Sequence, residues 1–203
     1  MRPRLLAATA IAAGLAVLAM LAIDQPLARW LAARETWPEL WNGGIAGLEV
    51  AGGIAPWPWL GVCVLVAGVL ATALVPRWQR HARAWMFVAA SYLLARNLVA
   101  WGKFLTGRLR PTEWLAHGGD TTFWRGGFSF PSGHVVLIAG LALPIAIVWP
   151  RARLLCAAIA FAMIARVAVG AHFVSDVLGG LALACAVTAL CAAAILRSPA
   201  SPR

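Results

Sequence analysis

Six apolar runs, each close to the length of a membrane-crossing helix, leave this 203-residue chain few ways to fold. A bilayer core of roughly 30 Å takes about 20 apolar residues per helix, and only helices or closed barrels satisfy their backbones there. The runs cover residues 5–23, 57–75, 84–101, 132–149, 154–171 and 177–196. They use most of the chain and leave no room for a separate soluble domain. A content of 62% hydrophobic and 12% charged residues agrees, since soluble globular proteins carry about 25% charged residues. The expectation is a single all-α domain over 1–203, an integral membrane six-helix bundle with external amphipathic helices.

The net charge of +10 could point to nucleic acid, but the placement of the charges argues otherwise. Arg2, Arg4, Arg77, Arg80, Arg83, Arg151, Arg153, Arg197 and Arg203 fall on one side of the six-span layout with no acid among them. The remaining basic residues share the other side with all seven acids. This is the positive-inside pattern, so the basic excess reports orientation and contact with anionic lipid, and no nucleic-acid partner is expected. Both termini are expected inside. In a bacterium the chain would lie in the inner membrane, with its external loops in the periplasm. The first run is expected to be an uncleaved anchor, because it exceeds a signal-peptide core and lacks a small-residue cleavage site.

Trp57, Trp59, Trp78, Trp85, Trp101 and Trp149 sit near span ends, as an interfacial belt requires. Between the first two spans, Leu27, Trp30, Leu31, Trp37, Leu40, Trp41, Ile45 and Leu48 recur at helical spacing among charges. Pro38 is suited to a helix's first turn. One or two amphipathic helices are expected in 24–56, either on the outer membrane surface or packed on the bundle. The four cysteines all lie in apolar runs without metal-ligand spacing.

The chemistry is concentrated in residues 103–176. A segment of about 102–131, expected to be non-helical, opens with Lys103, Arg108 and Arg110-Pro111. It closes with Pro131-Ser132-Gly133-His134 leading into an apolar helix. Ser132 is placed to cap that helix, whose free N–H groups form an anion site. Gly133 allows a phosphate oxygen to approach the backbone, and His134 can donate a proton to a leaving oxygen. Arg166 lies inside the membrane, where an unpaired guanidinium is costly and marks function. Gly170 is expected to break the helix, and His172 and Asp176 follow at i, i+4 on one face. Asp176 can take one ring N–H and leave the other nitrogen as a nucleophile.

Taken together, Lys103…Arg110-Pro111, Pro131-Ser132-Gly133-His134 and Ala165-Arg166…His172…Asp176 closely resemble the type 2 phosphatidic acid phosphatase family. Its pattern is Lys-x6-Arg-Pro, Pro-Ser-Gly-His and Ser-Arg-x5-His-x3-Asp. Ala165 departs from the usual serine and removes a hydroxyl but no charge. The resemblance implies that His172 forms a phosphohistidine, Asp176 orients it and His134 is the general acid. Lys103, Arg110, Ser132, Gly133 and Arg166 would bind phosphate. Fixed cations suit the charge on a transferring phosphoryl group. Only Asp176 among the acids falls in these motifs, so no metal or other cofactor is expected.

The resulting expectation is a metal-independent hydrolase of a lipid phosphate or pyrophosphate. The family's substrates include undecaprenyl pyrophosphate, phosphatidate, phosphatidylglycerol phosphate and lipid A phosphate. The alternatives are a lipid phosphotransferase using the same phosphohistidine, or a non-catalytic membrane transporter or scaffold. Arg96, two turns before Lys103, is a possible substrate contact. His117 and Arg125 are expected on the solvated loop.

Overall fold

The computed structural model describes residues 2–34, 36–54, 59–119 and 122–196. Glu35, Trp57, Asp120, Arg197 and Arg203, which carry part of the charge and tryptophan patterns, lie outside the described residues. Among the described residues the chain is all helical, apart from turns and one isolated bridge between Arg108 and Trp124. The helices are α1 (Arg2–Ala22), α2 (Asp24–Ala32), α3 (Pro38–Ala51), α4 (Leu60–Leu74), α5 (Ala82–Thr106), α6 (Pro111–Ala116), α7 (Gly133–Val148), α8 (Cys156–Ala168) and α9 (Val174–Ile195). The basic segments after the second and fourth runs form 3₁₀ turns at Pro76–His81 and Pro150–Leu155.

Every expected apolar run carries a helix, but the runs differ in reach. Among the described residues, three helical stretches are long and apolar enough to cross a membrane: Pro3–Ala22, Pro76–Thr106 and Val174–Ile195. α4 and α7 are apolar but shorter. α8 has 13 residues, which at about 1.5 Å each reach about 20 Å, short of a roughly 30 Å core. The cause is local. Pro150 opens a 3₁₀ turn that takes residues up to Leu155, and the chain reverses at Gly170, so the expected 154–171 run loses residues at both ends.

α1 exposes Leu6, Ile11, Val17, Leu18 and Leu21, an apolar surface suited to lipid. Its buried stripe is Ala12, Ala16 and Ala19, small residues that allow close packing on α9. α5, α7 and α9 pack against one another, with α4 on α5 and α8 on α7. Their shared core is Phe87, Ala95, Val99, Val136, Val187 and Cys191.

Within the 24–56 segment, α2 and α3 pack onto the rest of the chain. α3 starts with Pro38 in its first turn and packs on α8, burying Ile45 and setting Trp41 5.8 Å from the Phe161 ring. α2 buries Ala28 beside Leu109, Trp114 and Phe173. Asp24, counted above among the external charges, is buried as well.

The expected 102–131 loop is also partly helical. α5 continues through Lys103 to Thr106 and ends where Gly107 takes a left-handed conformation at φ 56°. α6 then starts at Pro111, with the Glu113 carboxylate accepting the Arg110 N–H at 2.7 Å. Pro at the first position and Glu at the third satisfy that end of the helix.

Candidate active site

The turn between α8 and α9 builds the centre of the site. α8 ends at Ala168, and Gly170 adopts φ 65°, a conformation that side chains rarely tolerate. Gly170 N–H donates to the Val167 carbonyl and Ala171 N–H to the Arg166 carbonyl, the paired bonds of a Schellman ending. His172 N–H also donates to the Arg166 carbonyl, at 3.1 Å. Arg166 and His172 are thereby held by one backbone knot. α9 begins two residues later, and the Asp176 carboxylate in its first turn accepts the Phe173 N–H at 2.9 Å.

His172 is 2% exposed and points Nδ1 at Asp176 Oδ2, 3.5 Å away. Ser129 Oγ sits between them, donating to Asp176 Oδ2 at 2.5 Å and lying 3.4 Å from His172 Nδ1. Nε2 is the ring nitrogen turned from the carboxylate. Burial holds the imidazole below the ordinary histidine value, with Arg166 and Lys103 adding to the effect and Asp176 opposing it. The ring is therefore neutral at physiological pH.

The other half of the site comes from α5, α6 and α7. Gly180 lets the start of α7 press on α9, since a Cβ there would lie 3.0 Å from the Ser132 carbonyl oxygen. Ser132 N–H donates to the Asp176 carbonyl at 3.0 Å. Ser132 precedes α7 as expected, but its side chain makes no capping bond. Its N–H is tied to α9, and its buried hydroxyl has no hydrogen-bond partner among the described residues. A Cβ on Gly133 would lie 3.6 Å from Lys103 Nζ, so the ammonium hangs over the first turn of α7. Lys103 also donates to the Phe128 carbonyl at 3.0 Å. Arg110, Arg166 and Asp176 all lie within electrostatic reach of Lys103. His134 lies within reach of Arg166 and His172. Lys103, Arg110, Gly133, His134 and Arg166 are all partly exposed.

Lys103, Arg110, Arg166, His134 and His172 thus lie within electrostatic reach of one another around the start of α7, beside a buried carboxylate. The family model described as the PAP2 superfamily matches residues 84–199, more than half of the chain. The chain belongs to the PAP2 superfamily. No curated protein and no solved structure matches it. Membership supports phosphatase chemistry on a phosphoester, and the three long apolar helices support association with a membrane.

Within this PAP2 protein, several site residues were not apparent from the motifs. Arg108, expected on a solvated loop, is 0% exposed and ion-paired to both Asp176 (2.6 Å) and Asp24 (2.7 Å). Its only sequence signal was its position two residues before Arg110. Glu49 of α3 contacts His134 Nε2 at 2.6 Å, with the two side chains 23% and 31% exposed. Ser129 lies two residues before the Pro-Ser-Gly-His motif, without a signal of its own. Arg96 stacks on the Trp59 ring at 5.2 Å, while His117 is exposed and bonded to the Glu113 carbonyl, and Arg125 is exposed. Among the described residues, no three His, Cys, Asp or Glu side chains gather as metal ligands.

Proposed function

We propose that this PAP2 protein is a metal-independent membrane phosphatase that hydrolyses a lipid phosphate or pyrophosphate through a phosphohistidine at His172. The observation that carries the reading is the buried His172–Asp176 pair, which engages one imidazole nitrogen within electrostatic reach of Arg166 and Lys103. His172 Nε2 attacks phosphorus as the bond from phosphorus to the lipid oxygen breaks. That oxygen takes a proton from His134. Water then attacks the phosphohistidine, giving its proton to the now neutral His134, and free phosphate and His172 are restored. Lys103, Arg110 and Arg166, with the Ser132 hydroxyl and the Gly133 N–H, hold the oxygens on which charge spreads. The fixed cations take the part that a divalent ion plays elsewhere.

The apolar surface of α1 and the membrane-length helices favour a substrate that diffuses within the bilayer. In this reading the chain crosses six times, with both termini cytoplasmic and the site on the opposite face. In a bacterium that face is periplasmic. Undecaprenyl pyrophosphate, phosphatidate, phosphatidylglycerol phosphate and lipid A phosphate are the substrates to compare.

The test is phosphate release from that panel by purified protein in excess EDTA, with His172→Ala as the blank. Release from at least one lipid, absent in a folded His172→Ala protein, is expected. Release that requires added Mg²⁺, or that persists in His172→Ala, would overturn the mechanism. Turnover only when a second lipid acceptor is added would identify a transferase.

A further inference from the structure

Behind the His172–Asp176 pair lies an ion-pair network that reaches outside the region matched by the family. Arg108 Nη1 donates to Asp176 Oδ1 at 2.6 Å, and Nη2 donates to Asp24 Oδ2 at 2.7 Å. Asp24, Arg108 and Asp176 are all 0% exposed at their side chains. Ser175 ties the network together: its N–H donates to Asp24 Oδ1 at 3.0 Å, its hydroxyl donates to Asp24, and Arg108 donates to that hydroxyl. Asp24 therefore does two things from the start of α2. It satisfies a first-turn N–H of α9, and it holds the guanidinium that holds Asp176. Phe123 and Phe173 flank that guanidinium, each ring centroid 4.6 Å from Cζ, which restricts it further.

The two oxygens of Asp176 are thus divided. Oδ1 belongs to Arg108, while Oδ2 meets Ser129, the Phe173 N–H and His172. A carboxylate turned by about a quarter-rotation would lose both sets of contacts and, with them, the aim of the imidazole. Two carboxylates also share one guanidinium here, so Asp24 limits how far Arg108 neutralises Asp176. We infer that Asp24 is a positioning residue for the phosphatase reaction, acting through Arg108 to lock the Asp176 carboxylate in the orientation that aims His172. Asp24 lies outside residues 84–199, so the family match assigns it nothing. The inference rests on the phosphohistidine reading above.

The experiment compares Asp24→Asn, Asp176→Asn and the double variant as full-length protein in detergent micelles. Radiolabelled short-chain phosphatidate serves as substrate, to reach residual rates. Asp24→Asn is expected to lower kcat about tenfold with KM nearly unchanged, because misalignment of a reacting group is felt in the transition state. On the Asp176→Asn background, Asp24→Asn should cost nothing more, since two residues acting through one path are not additive. Wild-type kcat in Asp24→Asn, a change confined to KM, or a loss that multiplies in the double variant would overturn the inference. If Asp24→Asn fails to fold, Ser175→Ala removes only the hydroxyl link. A smaller kcat-only loss is expected there, and wild-type kcat overturns the proposal. Wild-type turnover by Asp176→Asn or His172→Ala would instead sink the underlying mechanism and leave this network purely structural.

Discussion

Arg108 and Arg110 stand two residues apart, yet one is buried and the other is partly exposed. Arg108 faces inward, between two carboxylates and against two phenylalanine rings. Arg110 is partly exposed, and among the described residues no carboxylate lies within ion-pairing distance of it, Lys103 or Arg166. One arginine is neutralised by the protein; the other is held near two like charges. Unpaired cations in a partly desolvated place attract an anion, whereas a paired, buried cation supports its neighbours. The difference separates binding from scaffolding within three residues of chain.

This contrast can be broken most sharply by removing each guanidinium. Arg108→Met leaves Asp24 and Asp176 buried without their cation, and about 3–5 kcal/mol of stability should be lost. A strongly lowered thermal midpoint in detergent, or failure to accumulate folded protein, is the expected reading. Arg110→Ala should leave that midpoint in place but reduce kcat/KM by about 10²-fold, from the loss of a charge-assisted contact to phosphate. If the two variants behaved alike in either assay, the division of labour would be wrong.

A smaller effect separates the two imidazoles. In the proposed mechanism the neutral form of His172 is the nucleophile, and burial lowers the pH at which that form is lost. The acid limb of the kcat/KM profile is therefore expected below the ordinary histidine value of about 6.5. An alkaline limb should follow as His134 loses its proton. A rate independent of pH from acid to alkaline would contradict both assignments. Smallest of all, Glu49→Gln keeps a hydrogen bond to His134 but removes the negative charge. A loss of about tenfold or less in kcat, with unchanged stability, is the expected outcome.

The parts legible beforehand were those written in local pattern. Helix positions followed from apolar length, Pro38 marked a helix start, and Gly170 marked the end of α8, whereas α6 at Pro111 lay in a segment expected to be non-helical. The i, i+4 spacing of His172 and Asp176 placed them together, and they are 3.5 Å apart. Local pattern misled where a charge looked exposed because its surroundings were polar. Arg108 and Asp24 both read as loop charges, yet each is buried, because the partner that neutralises it comes from a distant part of the chain. A further departure is Ser132, whose side chain makes no capping bond while its backbone N–H donates to the Asp176 carbonyl. α8 starts later than expected because apolar composition does not register the 3₁₀ turn at Pro150–Leu155.

Composition and spacing by themselves determined a helical, lipid-embedded chain and the set of cations, imidazoles and carboxylate suited to phosphate. Periodicity and motif spacing are properties of neighbouring residues, and such properties can be read in one dimension. Which charges stay partly exposed and which are neutralised inside was decided only in three dimensions. Arg108 meets Asp24 across 84 positions, and Ser175 meets it across 151. Whether a guanidinium binds substrate or holds the protein together depends on whether a carboxylate arrives at that distance, and no local pattern records its arrival.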